Sequence, residues 1–159
     1  MEITRVALDE LHQDPANARA HDDINLGAIE ASLARFGQAE PLVVQESSKR
    51  VIGGNGRVTA MRRLGWNEAD VVLLDVDDLQ ATALGIALNR SAELAEWDEA
   101  TLARLLEQLR EDDALDGVGF DDADIDALIA SVDEGIGVEL EDPGAQEPPE
   151  APVSRVGVF

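Results

Sequence analysis

Five consecutive residues, Gly53-Gly54-Asn55-Gly56-Arg57, combine backbone freedom with hydrogen-bond donors in a way that suits a bound phosphate. Glycines accept backbone angles that other residues resist and let a ligand approach the main-chain amides closely. The run follows Arg50-Val51-Ile52, which has strand character, and leads into a helical stretch from Arg57 to Leu64. A helix N-terminus presents free N–H groups and a partial positive charge, and both favour an anion. Arg57 adds a guanidinium fork, and Asn55 can donate through its amide. No Lys-Ser/Thr follows the glycines, so this is not a Walker A loop; the third glycine of the dinucleotide fingerprint is also missing. Taken alone, the cluster reads first as a tight β-to-α turn that needs glycine for geometry.

Other chemistries are closed by composition. The 159 residues include no cysteine, which removes disulfides, thiolate zinc sites and a cysteine nucleophile. Asp112-Asp113 and Asp121-Asp122-Ala123-Asp124 lack the alternation and terminal Glu of an EF-hand loop, and read as helix caps and solvated surface. His12 and His21, the two histidines, fall in a polar loop. Trp66 and Trp97 adjoin element ends, where packing is the expected role. The net charge of −22 is unevenly placed: residues 1–95 hold 9 basic and 15 acidic side chains, the remaining 64 hold 3 and 19. Affinity for duplex DNA comes mainly from phosphate neutralisation, so such a chain is expected to meet DNA only indirectly, through a fused or partner domain. The opening residues predict no signal segment, and no apolar run approaches a membrane span, which makes a cytoplasm the expected compartment.

The elements that must hold the glycine loop are legible from pattern. Ile3 to Leu8 predicts a strand, and Leu11 to Asp23 a loop. Leu26, Ile29, Leu33 and Phe36 follow helical spacing, with Gly37 as the stop. Pro41 to Gln45 and Arg50 to Ile52, joined by Ser47-Ser48-Lys49, predict a hairpin, and Val71 to Val76 a further strand. Asp77 with Gln80 predicts a capped helix to about Leu94. Asp98 and Asp121 each cap another, with apolar faces at Leu102, Leu105, Leu106, Leu109 and at Ile125, Leu128, Ile129, Val132. Beyond Asp133 the composition turns to Glu, Asp, Gly and Pro, which predicts an acidic flexible tail. The expected organisation is an α/β (α+β) domain over 1–96, a helical extension over 97–133 and a tail over 134–159.

The order Pro41-Leu42-Val43-Val44, Val51 to Ala60 around the glycine box, Leu64-Gly65, then Ala87-Leu88-Asn89-Arg90 resembles the ParB/sulfiredoxin-like family, specifically the ParB N-terminal domain. Asn17-Ala18-Arg19-Ala20-His21 is similar to that family's N-P-R-x-H opening. The resemblance covers about residues 3–96 and implies a small mixed sheet with helices. It implies a nucleotide site at Gly53, Gly54, Asn55, Gly56 and Arg57, joined by Arg19, His21, Gln38, Asn89 and Arg90. It implies CTP or ATP as ligand, with Mg2+ held through Asn89 and Glu93. Nucleotide and a second copy of the chain are the expected partners. Glu93 to Asp98 and Gly119 to Asp122 resemble the phage or mobile-element variety that often precedes a DNA methyltransferase.

Three departures narrow the expectation. Asn55 stands where sulfiredoxins carry cysteine, which excludes sulfinic-acid reduction. Of the Glu-Arg-Arg of chromosomal ParB only Arg57 is kept, and Leu88 occupies the position of the acidic residue that helps hold magnesium. No methyltransferase motif is present, and no helix-turn-helix centromere reader is expected to follow. The expected function is a nucleotide- or phosphate-binding module in DNA modification or segregation of a mobile element. A ParB-like nuclease or CTPase/ATPase, and an interaction module with a vestigial pocket, are the alternatives.

Overall fold

A computed structural model describes residues 1–14 and 20–141, with side chains described up to residue 135. Ten regular elements follow one another: β1 (Ile3–Ala7), β2 (His12–Gln13), α1 (Asp23–Phe36), β3 (Leu42–Gln45), β4 (Arg50–Gly53), α2 (Asn55–Arg63), β5 (Glu68–Leu74), α3 (Asp78–Leu94), α4 (Glu99–Glu111) and α5 (Asp122–Glu141). The strands form one sheet in the order β1-β5-β3-β4-β2. β1 runs antiparallel to β5, β5 parallel to β3, β3 antiparallel to β4, and β4 parallel to β2. This is the small mixed sheet with helices that the sequence resemblance implies.

The sheet's centre is dictated by apolar content. β3 and β5 are rich in Leu and Val; Leu42 pairs with Val71 and Val44 with Leu73. β-branched and apolar side chains fit a strand covered on both faces. Leu42, Val44, Val51 and Val71 join Val58, Ala60 and Met61 of α2 and Leu33 of α1 in the main core. Trp66 packs against that core, as its position at an element end suggested, whereas Trp97 is exposed and meets Phe120 edge-on at 6.4 Å.

Buried polar groups fix what surrounds the glycine run. Gln45 is 1% exposed, yet its amide donates to the Val76 carbonyl at 2.9 Å and to Asp78 Oδ1 at 3.0 Å, anchoring the start of α3 beside the hairpin. α3 then lies on β4, where a Cβ on Gly85 would come within 3.4 Å of the Ile52 carbonyl oxygen. Arg62 donates to the carbonyls of Leu8 and Leu11 and to Gln13 Oε1, clamping a short 3-10 turn (Leu8–Glu10) and β2 to α2. Gln13 returns the contact through Nε2, which donates to the Asn55 carbonyl and to Thr59 Oγ1.

The helical extension is a pair. α4 and α5 bury Ala103, Leu106 and Ile125 between them, and Arg110 binds Asp126 at 2.9 Å. Its connecting loop docks on α1: Arg35 donates to the carbonyls of Ala114 and Asp116, and Gly117 (φ +73°) sits 2.9 Å from the Ala31 oxygen, measured from the Cβ a larger residue would carry. No helix among the described residues is long and apolar enough to cross a membrane.

Several boundaries differ from expectation: β5 is Glu68–Leu74 where Val71 to Val76 was expected, and α2 begins at Asn55 instead of Arg57. His12 lies in β2, inside the stretch expected as loop, because a two-residue parallel pairing with β4 leaves no alternating pattern to read. α5 continues to Glu141, past the boundary placed at 133. Once a helix is nucleated, each further residue gains a hydrogen bond, so Gly135 and Gly137 do not stop it. The tail expected beyond it lies outside the described residues from 142 onward.

Candidate functional site

Gly54 is the pivot of the site. It is the residue before α2, with φ +98°, and a Cβ there would fall 2.5 Å from Leu42 Cδ2 and 3.0 Å from Arg57 Nη2. Only glycine meets both the backbone angle and the space. The first intrahelical bond of α2 runs from Val58 N–H to the Gly54 carbonyl, so the N–H groups of Asn55, Gly56 and Arg57 have no helical acceptor. α1, α3, α4 and α5 each begin on an aspartate whose carboxylate accepts a first-turn N–H: Asp22, Asp77, Asp98 and Asp121. α2 has no side-chain cap and no acid in its first turn. Its N-terminus therefore keeps its donors and its positive end for something else.

That N-terminus opens on a cleft of about 250 Å³ lined by His21, Asn25, Ile29, Ile52 to Arg57, and Asn89. The structure thus brings together Gly53, Gly54, Asn55, Gly56, Arg57, His21 and Asn89. The His21 ring covers Gly56, where a Cβ would meet it at 2.7 Å, and His21 Nδ1 donates to Asn25 Oδ1 at 2.5 Å. Sequence reasoning missed Asn25; its spacing of four from His21 across the start of α1 is the signal that could have found it. Among the described residues no carboxylate lines the cleft, in a chain with 34 acidic residues.

Arg57 borders this cleft and a neighbouring cavity of about 370 Å³ between α1, residues 37–40 and residues 117–119. Its Nη1 donates to the Glu40 carbonyl at 2.7 Å and its Nη2 to the Pro41 carbonyl at 3.4 Å. Burial pushes the guanidinium below its ordinary value, partly offset by the charge of Glu40, and it forms no ion pair among the described residues. A half-buried cation with no ion pair among the described residues is a place where a bound anion gains.

Asn55 is 8% exposed; its Nδ2 donates to the Val51 carbonyl at 3.3 Å, while its Oδ1 is buried with no partner. A carbonyl only accepts, so the Val51 contact fixes which amide atom is left over.

The remaining expected residues lie elsewhere. Gln38 is spent on backbone, donating to Asp70 O and Glu40 O and accepting from Asp70 N–H, so it ties β5 to the loop after α1 and lines the neighbouring cavity. Arg90 and Glu93 are exposed and paired with each other at 3.5 Å, and neither lines the cleft. Arg19 lies outside the described residues. Leu88 sits against Gly53, its Cδ1 3.2 Å from where a Cβ would be. Among the described residues no three His, Asp or Glu side chains converge as a metal site.

Comparison with known proteins bears on the fold and the family. The ParB N-terminal domain family model matches residues 1–90, and a ParB-methyltransferase HTH domain model matches residues 100–156. A nucleoid occlusion protein of Lysinibacillus sphaericus is 24% identical over 115 residues, covering 69% of this chain; the chain spans only 39% of that relative's length. Among solved structures, the C-terminally truncated chromosome-partitioning protein ParB of Caulobacter crescentus complexed with CTP-gamma-S superposes with a TM-score of 0.71 at 18% identity, covering 89% of this chain and 88% of that one. The same Caulobacter protein complexed to the centromeric parS site gives a TM-score of 0.46 at 17% identity, covering 80% and 64%.

The second family match corrects the expectation that no helix-turn-helix unit follows. α4, the turn over 112–121 and α5 are its described part. It escaped the sequence reading because α5 carries seven acidic residues and no Lys or Arg, whereas a helix that reads a groove is expected to bring cations to the phosphates.

Proposed function

This chain belongs to the ParB N-terminal domain family, and from that premise we propose that it binds a nucleoside triphosphate at the N-terminus of α2. The observation that carries the reading is the uncapped, acid-free first turn of α2 facing a carboxylate-free cleft. The N–H groups of Asn55, Gly56 and Arg57 would hold phosphate oxygens, Arg57 would supply charge, and His21 and Asn89 would flank the ligand. CTP is the favoured nucleotide, because the Caulobacter structure of the same fold is a complex with CTP-gamma-S. In cellular terms the chain is a nucleotide-responsive front module with a ParB-methyltransferase HTH unit, serving DNA modification or segregation of a phage or mobile element.

The HTH unit does not make this chain a strong duplex binder. Arg110, which faces α5, is already neutralised by Asp126 and Asp122, and the chain's charge of −22 opposes DNA. Isothermal titration tests the reading. CTP, ATP and inorganic tripolyphosphate are expected to compete for one site per chain, with the nucleotides binding more tightly. A short DNA duplex is expected to give no heat at physiological salt. Absence of binding for all three anions at millimolar concentration would contradict the proposal.

A further inference from the structure

We infer that the α2 site takes its anionic ligand without a divalent cation, an inference that rests on the nucleotide-binding reading above. Magnesium demands near-octahedral oxygen coordination and is ordinarily held by one or two carboxylates together with substrate phosphates. The residues here do not fit it. Among the described residues the cleft offers no carboxylate, and residues 15–19 contain none by sequence.

The acids that flank the lining residues already have partners, including Asp14, which lines an adjoining groove with Asn55 and Asn89. Asp14 is 3.6 Å from Arg50; Asp22 caps α1; Asp23 is 3.4 Å from Arg63; Glu93 pairs with Arg90. Glu40 lines the cavity on the far side of Arg57. At the first glycine of the run, Leu88 presents a methyl group, not a carboxylate, against Gly53. The neutral side-chain oxygens of the lining belong to Asn25, Asn55 and Asn89; Asn25 Oδ1 is engaged by His21, and Asn55 Oδ1 is buried with no partner. Charge compensation falls instead to Arg57 and to the positive end of α2, which act on a bare phosphate better than on one already neutralised by an ion.

The experiment titrates the full chain with CTP and with tripolyphosphate, once in EDTA and once in excess Mg2+. Affinity in EDTA is expected to equal or exceed that in Mg2+. Leu88→Glu, a change at a partly exposed position that leaves the core intact, places a carboxylate beside the phosphates. It is expected to weaken binding in EDTA about tenfold or more through like-charge repulsion, with Mg2+ restoring part of the loss. Wild-type binding that appears only with Mg2+ would overturn this inference and leave the site assignment standing. A Leu88→Glu protein that binds like wild type in EDTA would likewise overturn it, since Leu88 would then not face the ligand. Failure of wild type to bind either anion in either buffer would overturn the site assignment and this inference together.

Discussion

Gly54→Val is expected to abolish anion binding and to destabilise the fold, the largest combined effect of any single change at the site. The new side chain would start 2.5 Å from Leu42 Cδ2 and 3.0 Å from Arg57 Nη2, so it must displace a core leucine or the arginine. The backbone at φ +98° is strained for any residue with a Cβ and worse for a β-branched one. Overpacking and strain together are expected to cost about 2–4 kcal/mol, read by urea denaturation. Ligand affinity should fall at least about a hundredfold at temperatures where the variant stays folded, because the amides of α2 can no longer be approached. If the glycine serves only as a tight turn, stability falls but affinity per folded molecule does not.

Arg57→Ala carries the second large effect, and it has two parts. Removing a charge-assisted hydrogen bond to phosphate is worth about 1.5–3 kcal/mol, or roughly a tenfold to hundredfold loss of affinity. The same fork also donates to the Glu40 and Pro41 carbonyls at the entry to β3, so folding stability is expected to drop by about 1 kcal/mol as well. Arg57→Lys keeps the charge but cannot span both carbonyls, and is expected to fall between wild type and Ala in both measurements. Unchanged affinity in Arg57→Ala would show that the fork serves the loop alone.

What the sequence made legible follows local rules. The hairpin turn at Ser47-Ser48-Lys49, the Asp77–Gln80 capping box and the glycine stop at Gly37 each depend on residues within a few positions of one another. The glycine run was legible for the same reason: strand, glycines and helix start are contiguous. Long-range commitments were not. Nothing near Gln38 in sequence announces that its amide is used by Asp70, 32 residues on, and nothing near Arg62 announces the carbonyls of Leu8 and Leu11. Arg90 and Glu93 were drawn into the expected site by resemblance, but on α3 they are exposed and pair with each other, outside the lining of the cleft. The helix-turn-helix unit was hidden by charge: its helices were visible from their caps, but its acidic second helix carries none of the cations by which such units are recognised.

The central claim is that an anion sits on the first turn of α2, and backbone amide chemical shifts read that turn directly. In a 15N-labelled sample titrated with tripolyphosphate and then with CTP, the largest shifts are expected at the amides of Gly54, Asn55, Gly56 and Arg57. CTP should add shifts around His21 and Asn89, and α5 should be little affected. Saturable binding that leaves the amides of residues 54–57 unmoved, with shifts concentrated elsewhere, would contradict the account.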